Sequence, residues 1–263
     1  MNSPTSTTGA QQNTGTLYLV PAPLDFGCDE TVALDASMPA GTLRLASGIS
    51  HWICENAKST RAYLKRIHET HPLRLPLQSM QLQELPREVH KKGDHGGGFD
   101  ARHMLQPALT GNAMGLVSEA GMPAIADPGS SVVRAAHDLG IPVVPLVGPV
   151  SLLLALAASG LNGQSFAFVG YVPATPAERA QKIRELESLA LKTGQTQLFI
   201  ETPYRNTALL QTLLQSLQQN TRLATASGLT LPGARCHSDL VKNWKNKPWA
   251  LDNSIPTVFA IGR

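Results

Sequence analysis

The sequence predicts an α/β protein of two domains with mainly parallel sheets. Three observations predict it. Short apolar runs of strand length alternate with longer segments of helical spacing. Glycine and proline punctuate the junctions. The 263 residues suffice for two domains of ordinary size. Strands alternating with helices imply parallel pairing through right-handed crossovers.

The elements follow in order. Residues 1–15, MNSPTSTTGAQQNTG, are small and polar and read as a disordered tail. Residues 17–20 form a buried strand that Pro21 and Pro23 turn into a loop. Residues 52–54 are a second strand, and 59–67 a helix with Tyr63, Leu64 and Ile67 on one face. Residues 76–98 read as an irregular loop, with Pro86, a basic HKKGDH run and Gly96-Gly97-Gly98. Residues 99–110 form a helix closed by Gly111, although Pro107 interrupts its second half. A strand at 114–117, a helix at 130–139 capped by Gly140, and a strand at 143–147 come next. The helix at 151–159 is almost wholly apolar, which predicts burial. A domain boundary is expected around Gly160 to Gln164, giving domains 16–162 and 163–263. The second set comprises a strand at 166–169, a helix at 176–191 with Pro176 in its first turn, a strand at 197–200, a helix at 205–218, and strands at 222–226 and 257–261.

Composition narrows the function. Hydrophobic residues make up 42% and charged residues 16%, as in a folded globular chain. The net charge of +3 permits an anionic substrate such as RNA without requiring one. Cys28, Cys54 and Cys236 are scattered and form no CxxC, which argues against a disulfide framework and a zinc site. His68 and His71 stand three apart with no third ligand evident, so no metal is expected. No run of 18 apolar residues and no leader-like opening is present, so the expectation is a cytoplasmic protein with no membrane partner.

In parallel α/β sheets, ligands bind beyond the carboxyl ends of strands. The strand at 114–117 runs into Ser118-Glu119-Ala120-Gly121-Met122-Pro123, and the strand at 143–147 into Gly148-Pro149-Val150-Ser151. Each turn precedes a helix, where free N–H groups favour a carboxylate or phosphate. No GxGxxG, GxxxxGK[ST] or GxSxG occurs, which weighs against an NAD enzyme, a P-loop nucleotidase and a nucleophile-elbow hydrolase.

The segment LVSEAGMPAIADPG (116–129) resembles the LVSDAGTPxISDPG of the tetrapyrrole methylase superfamily, in its branch that methylates ribose 2′-oxygens of small-subunit ribosomal RNA. The likeness extends to LYLVPAPL (17–24), VVPLVGPVSLLLALAASGL (143–161), FAFVGYVP (166–173) and LFIETPYRNTALLQTLL (198–214). Three blocks depart from that branch. Pro23-Leu24-Asp25-Phe26-Gly27 stands for PIGNLxD, Glu55-Asn56-Ala57-Lys58 for EDTR, and Asp94-His95-Gly96 for HDHNE. The resemblance implies two α/β domains with an active-site cleft between them, S-adenosyl-L-methionine as donor, and a homodimer. A ribosomal RNA ribose is the implied acceptor. A tetrapyrrole carbon is the alternative, against which the missing GDP turn argues, and a non-catalytic donor-binding paralogue is a further one.

Carried over by motif, the donor contacts are Pro21, Pro23, Gly121, Met122, Pro123, Ile125, Gly148 and Ser151. Tyr204, Gly228, Leu229, Pro256 and Thr257 join them from the second half. A ribose hydroxyl needs a proton acceptor, for which Glu55, Glu119 and Glu201 stand at strand ends. Lys58, Arg61, His95 and Arg205 are candidates for substrate phosphate. Plainer readings stand beside these. Glu119 braces its turn, Asp127 makes an Asx turn before Pro128-Gly129, and Glu201 pairs with Arg205 at i,i+4. The stretch Trp244-Lys245-Asn246-Lys247-Pro248-Trp249 either stacks bases or packs on the body.

Overall fold

The computed structural model describes residues 14–92, 94, 96, 98–246 and 250–263. The chain divides into two compact units, one of residues up to Ala22 with Met38–Gly148, the other of Pro23–Ser37 with Pro149–Arg263. His95 and residues 247–249 lie outside the described residues, as does nearly all of the expected tail.

The first unit holds β1 (Leu17–Leu19), α1 (Ala40–Ser47), β2 (His51–Cys54), α2 (Ala57–Thr70), β3 (Gln81–Glu84), α3 (Arg87–Lys92), α4 (Gln106–Leu109), β4 (Met114–Val117), α5 (Ser130–Asp138) and β5 (Val143–Pro145). The strands form one wholly parallel sheet in the order β3-β2-β4-β1-β5. Leu17, Ile53, Met114 and Leu116 meet Val132, Ala136 and Leu105 in its core. Gly115 is fixed by packing, because a Cβ there would lie 2.5 Å from the ring of Trp52, its partner across the ladder.

The second unit holds α6 (Ser151–Ser159), β6 (Phe166–Tyr171), α7 (Pro176–Thr193), β7 (Thr196–Ile200), α8 (Asn206–Ser216), β8 (Arg222–Ser227), β9 (Arg235–Leu240), α9 (Val241–Trp244) and β10 (Thr257–Gly262). Its sheet order is β6-β7-β10-β8-β9, and only β6–β7 is parallel. Alternate residues of the strands feed two cores, as the two-residue period requires. Phe199, Phe259 and Ile261 face Ile183, Leu209 and Leu213. Leu198, Val258 and Ala260 face Leu152, Ala155 and Leu156 of α6.

Several expectations change. The parallel pairing expected of both sheets holds throughout the first and in one pair of the second, since β10 runs against both its neighbours. Residues 76–98 contain β3 and α3 rather than a loop alone. The helix expected at 99–110 is a 3-10 turn, Arg102–Leu105, leading into the short α4 with Pro107 in its first turn. The apolar α6 is not wholly buried, because Leu153 is 51% and Leu154 40% exposed. Since its other face packs on the second sheet, α6 belongs to the second unit, ahead of the boundary expected at Gly160.

Candidate functional site

In the first unit, three turns meet at the carboxyl edge of the parallel sheet. The turn after β1 pairs with the turn after β4, where the N–H groups of Ala22 and Gly121 each donate to the other's carbonyl at 2.9 Å. Gly121 takes φ +69°, a left-handed conformation that suits glycine. The turn after β5 closes on the same place. A Cβ on Gly148 would stand 2.2 Å from Cγ of Pro21, so the absent side chain is demanded by Pro21 itself. Two side chains that sequence reasoning missed fix these turns. The buried Tyr63 hydroxyl donates to the Pro21 carbonyl at 2.8 Å, and Thr42 Oγ1 donates to the Val147 carbonyl at 2.7 Å. Tyr63 was legible only as a core residue of its helix.

The loop from β4 to α5 is wound tightly, with Ala124 and Ala126 both held at positive φ. Each such alanine costs roughly 1–2 kcal/mol. Met122 and Pro123 lie within this loop, and Ile125 is exposed on it. The loop is anchored at its far end by Asp94, which caps α5 from a distant segment. Asp94 Oδ2 accepts from the N–H groups of Gly129 (2.9 Å) and Ser131 (2.8 Å) and from Ser131 Oγ (2.6 Å), and its Oδ1 accepts from Ser130 Oγ (2.7 Å). Burial alone raises the Asp94 pKa, but the hydrogen bonds from Ser131, Ser130 and Gly129 outweigh it and hold the carboxyl below its usual range.

Carboxylates gather at this edge. Glu55 follows β2, and its Oε2 accepts from the backbone N–H of Glu119 at 3.3 Å. Asp127 lies close enough to feel both. Burial first, then the charges of Glu55 and Glu119, push its pKa up to about 7. The Asx turn expected of Asp127 is absent, since its carboxylate makes no hydrogen bond among the described residues. Lys58 and Arg61 are exposed on α2, which starts just beyond Glu55. No thiol offers a nucleophile here, because burial pushes Cys54 up to about 11. No group of three or more His, Cys, Asp or Glu among the described residues is placed to hold a metal ion.

In the second unit, the ends of β7 and β8 and the start of β10 share one edge. Glu201 follows β7 with its side chain fully buried, and Arg205 Nη2 pairs with its Oε1 at 2.7 Å. The Thr202 N–H donates to the same oxygen at 2.8 Å. Glu201 is thus a bound counter-charge, which favours the plainer reading of this pair over a free base. Tyr204 is 69% exposed, with the Arg205 guanidinium 5.4 Å from its ring centre. The Gly228 N–H donates to the Pro256 carbonyl at 3.0 Å, and Thr257 Oγ1 lies 2.8 Å from Ser227 Oγ. Leu229 packs into the core beside α6. Asn206, missed in the sequence, ties this edge together by donating to the Ile255 carbonyl at 2.8 Å and to Thr257 Oγ1 at 3.2 Å. Beside it lies a cavity of about 400 Å³ lined by Ser227, Leu231, Arg235, Leu251, Asp252 and Ile255, with residues 27–30. Pro23 and Ser151 also belong to this unit. Trp244 is buried and donates to the Leu223 carbonyl at 3.0 Å, so it packs rather than stacks on a ligand.

The family model of the Tetrapyrrole (Corrin/Porphyrin) Methylases matches residues 53–242. The chain belongs to this family. The match takes in Glu55, the Gly121 and Gly148 turns, Glu201 and Gly228. Among curated relatives, the ribosomal RNA small subunit methyltransferase I of Vibrio cholerae is 37% identical over 137 residues, 52% of this chain and 46% of the relative. That of Halalkalibacterium halodurans is 31% identical over 191 residues, 73% of this chain and 56% of the relative. The chain thus spans about half the length of the curated relatives it matches. Two solved structures share the fold. The methyltransferase CobJ has a TM-score of 0.56 at 19% identity, covering 95% of each chain. The native uroporphyrin III C-methyl transferase of Thermus thermophilus has a TM-score of 0.53 at 15% identity, covering 95% of this chain and 98% of that one. The family fold accounts for the all-parallel first sheet.

Proposed function

We propose that the protein transfers a methyl group from S-adenosyl-L-methionine to a ribose hydroxyl of small-subunit ribosomal RNA. The observation that carries this is the meeting of three closely packed turns and three carboxylates at the carboxyl edge of the first sheet. The donor is a sulfonium cation with an amino-acid tail. A carboxylate-rich edge favours the cation, and turn N–H groups suit its carboxylate. Transfer from a sulfonium is an in-line displacement that needs no metal, and orientation of the reactants can supply roughly 7–11 kcal/mol of the barrier.

Asp127 is the proposed proton acceptor. A general base works best with a pKa near the working pH, and Asp127 is pushed up to about 7 by burial and by Glu55 and Glu119. Glu55 and Glu119 act as its tuning neighbours. Pro21, Gly121, Met122, Pro123, Ile125 and Gly148 are proposed donor contacts in the first unit. Pro23, Ser151, Tyr204, Gly228, Leu229, Pro256 and Thr257 are those in the second. The name shared by the curated relatives supports the RNA acceptor over a tetrapyrrole. We also take the protein to be a cytoplasmic homodimer. Leu153, Leu154 and Tyr171 leave apolar surface exposed on the second unit, of the kind subunits cover, and sedimentation tests it.

The deciding experiment is calorimetric titration with S-adenosylmethionine and S-adenosylhomocysteine, followed by transfer of labelled methyl to unmodified small ribosomal subunits. Donor binding at about micromolar Kd with label in a ribose is the expected result. Binding without transfer to any RNA makes the chain a donor-binding paralogue, and no binding removes the methyltransferase reading. Asp127→Asn should keep donor binding and lower transfer by about 100-fold or more.

A further inference from the structure

We propose that the outer face of α2 is a track for the RNA phosphodiester backbone; this rests on the RNA reading of the acceptor. Lys58, Arg61, Lys65 and His68 recur at intervals of three and four, which places them within an arc of about 80° and along about 15 Å of the helix. All four are exposed, while Thr60, Tyr63, Leu64 and Ile67 on the opposite face are buried. Residues 57–74 carry five Lys or Arg against one acid, Glu69, a local net charge of +4 that exceeds the +3 of the whole chain. A solvated helix of an ordinary surface carries mixed signs.

Ion pairs among the described residues include Arg102 with Asp100 and Asp138, Lys182 with Glu185 and Arg205 with Glu201. The stripe's own cations, Lys58, Arg61 and Lys65, stay clear of these pairs, as does Arg74. The helix N-terminus is not the anion site, since Asn56 Oδ1 accepts from the N–H groups of Lys58 (2.9 Å) and Ser59 (3.1 Å), and Glu84 Oε1 accepts from that of Ala57 (2.6 Å). The charge on offer is therefore the side-chain stripe.

The stripe starts three residues beyond Glu55, at the sheet edge where the acceptor is proposed to react, and ends at a built feature. His68 is held by the Leu73 N–H, which donates to its Nδ1 at 3.2 Å. In the neutral ring the proton then sits on Nε2, as a donor. Beside it Lys65, His68, Leu73, Arg74, Leu75 and Leu77 line a groove of about 570 Å³ that combines apolar and cationic side chains. That chemistry suits a nucleotide, with base or ribose against the leucines and phosphate against Lys65 and Arg74.

The test is fluorescence anisotropy with a labelled single-stranded RNA of mixed sequence, across salt from about 50 to about 200 mM. The double variant Arg61→Glu, Lys65→Glu should lose about tenfold or more in affinity. Its slope of log K against log salt should be shallower by about 1.4, two contacts at about 0.7 each. The charge-keeping Arg61→Lys, Lys65→Arg should bind as wild type, and so should Arg184→Glu on the exposed side of α7. Equal binding by wild type and the double glutamate variant overturns the track while leaving the RNA acceptor in place. Absence of RNA binding by the wild type overturns both.

Discussion

The two units keep their strand-end carboxylates in opposite ways. In the first, Glu55, Glu119 and Asp127 crowd together, and Asp127 meets the crowding by holding its proton up to about pH 7. In the second, Glu201 is more deeply buried yet has Arg205 at 2.7 Å as a counter-charge. A paired carboxylate is structural, because its charge is spoken for. A crowded one is poised, because a small change in its surroundings moves a proton. Under the proposed function, proton chemistry falls to the first unit and scaffolding to the second, although sequence position makes Glu201 and Glu119 look alike.

The largest expected effect lies on the paired side. Arg205→Ala leaves the Glu201 carboxylate buried with no counter-charge. Breaking a buried pair costs about 3–5 kcal/mol, and about 3 is expected here because Arg205 is partly exposed. Thermal unfolding reads it. A variant as stable as wild type would mean that Glu201 is reached by water, and the contrast between the units would collapse.

Next comes the packing of the turns themselves. Gly148→Val forces a side chain into the place of Pro21 and should destabilise by about 2–3 kcal/mol while abolishing donor binding. The loss of binding comes through the displaced Pro21 turn, so melting and calorimetry should fail together. Donor binding retained with a lowered Tm would dissociate Gly148 from the donor seat. Asp94→Ala removes the remote cap of α5 and should cost about 2 kcal/mol at neutral pH. The sign with pH follows from its depressed pKa. The contribution is present above the unfolded carboxylate value of about 3.9 and fades as the pH falls through the lower folded value. Wild type and variant should therefore converge in acid.

What the sequence made legible tracks burial. β4 and α6 stand where the apolar runs place them, because β4 is apolar and buried throughout and α6 is apolar between its terminal serines. β3 (QLQE) and β9 (RCHSDL) escaped notice because both are edge strands, exposed along one side and paired along the other, so neither shows a strand's apolar run. The glycine turns of the site were legible as turns, but their reason was not. Nothing in the spacing of Pro21 and Gly148 announces that one fills the place of the other's Cβ. Tyr63 and Asn206 were invisible as site residues because each acts through a contact more than forty positions away in sequence. Asp127 read as a turn-former because DPG is a turn signal, and only the approach of Glu55 and Glu119 from two other segments gives it a perturbed proton.

The smallest expected effect on stability is also the sharpest test of the contrast. Asp127→Asn removes a carboxylate that the folded state holds protonated up to about pH 7, whereas the unfolded chain releases that proton near pH 4. Between those values folding takes up a proton, so the wild type loses stability as the pH rises through this window and carries the full penalty above it. The amide carries no such penalty. At about pH 4 the two proteins should melt together, since Asp127 is then neutral in the fold. At about pH 8 the variant should be more stable by roughly 1 kcal/mol after allowance for its partial exposure to solvent, or about 2–4 °C in Tm. A gap that is equal at both pH values would mean that Asp127 ionises as an ordinary aspartate. Glu55 and Glu119 would then not be crowding it, and the first unit would hold its carboxylates no differently from the second.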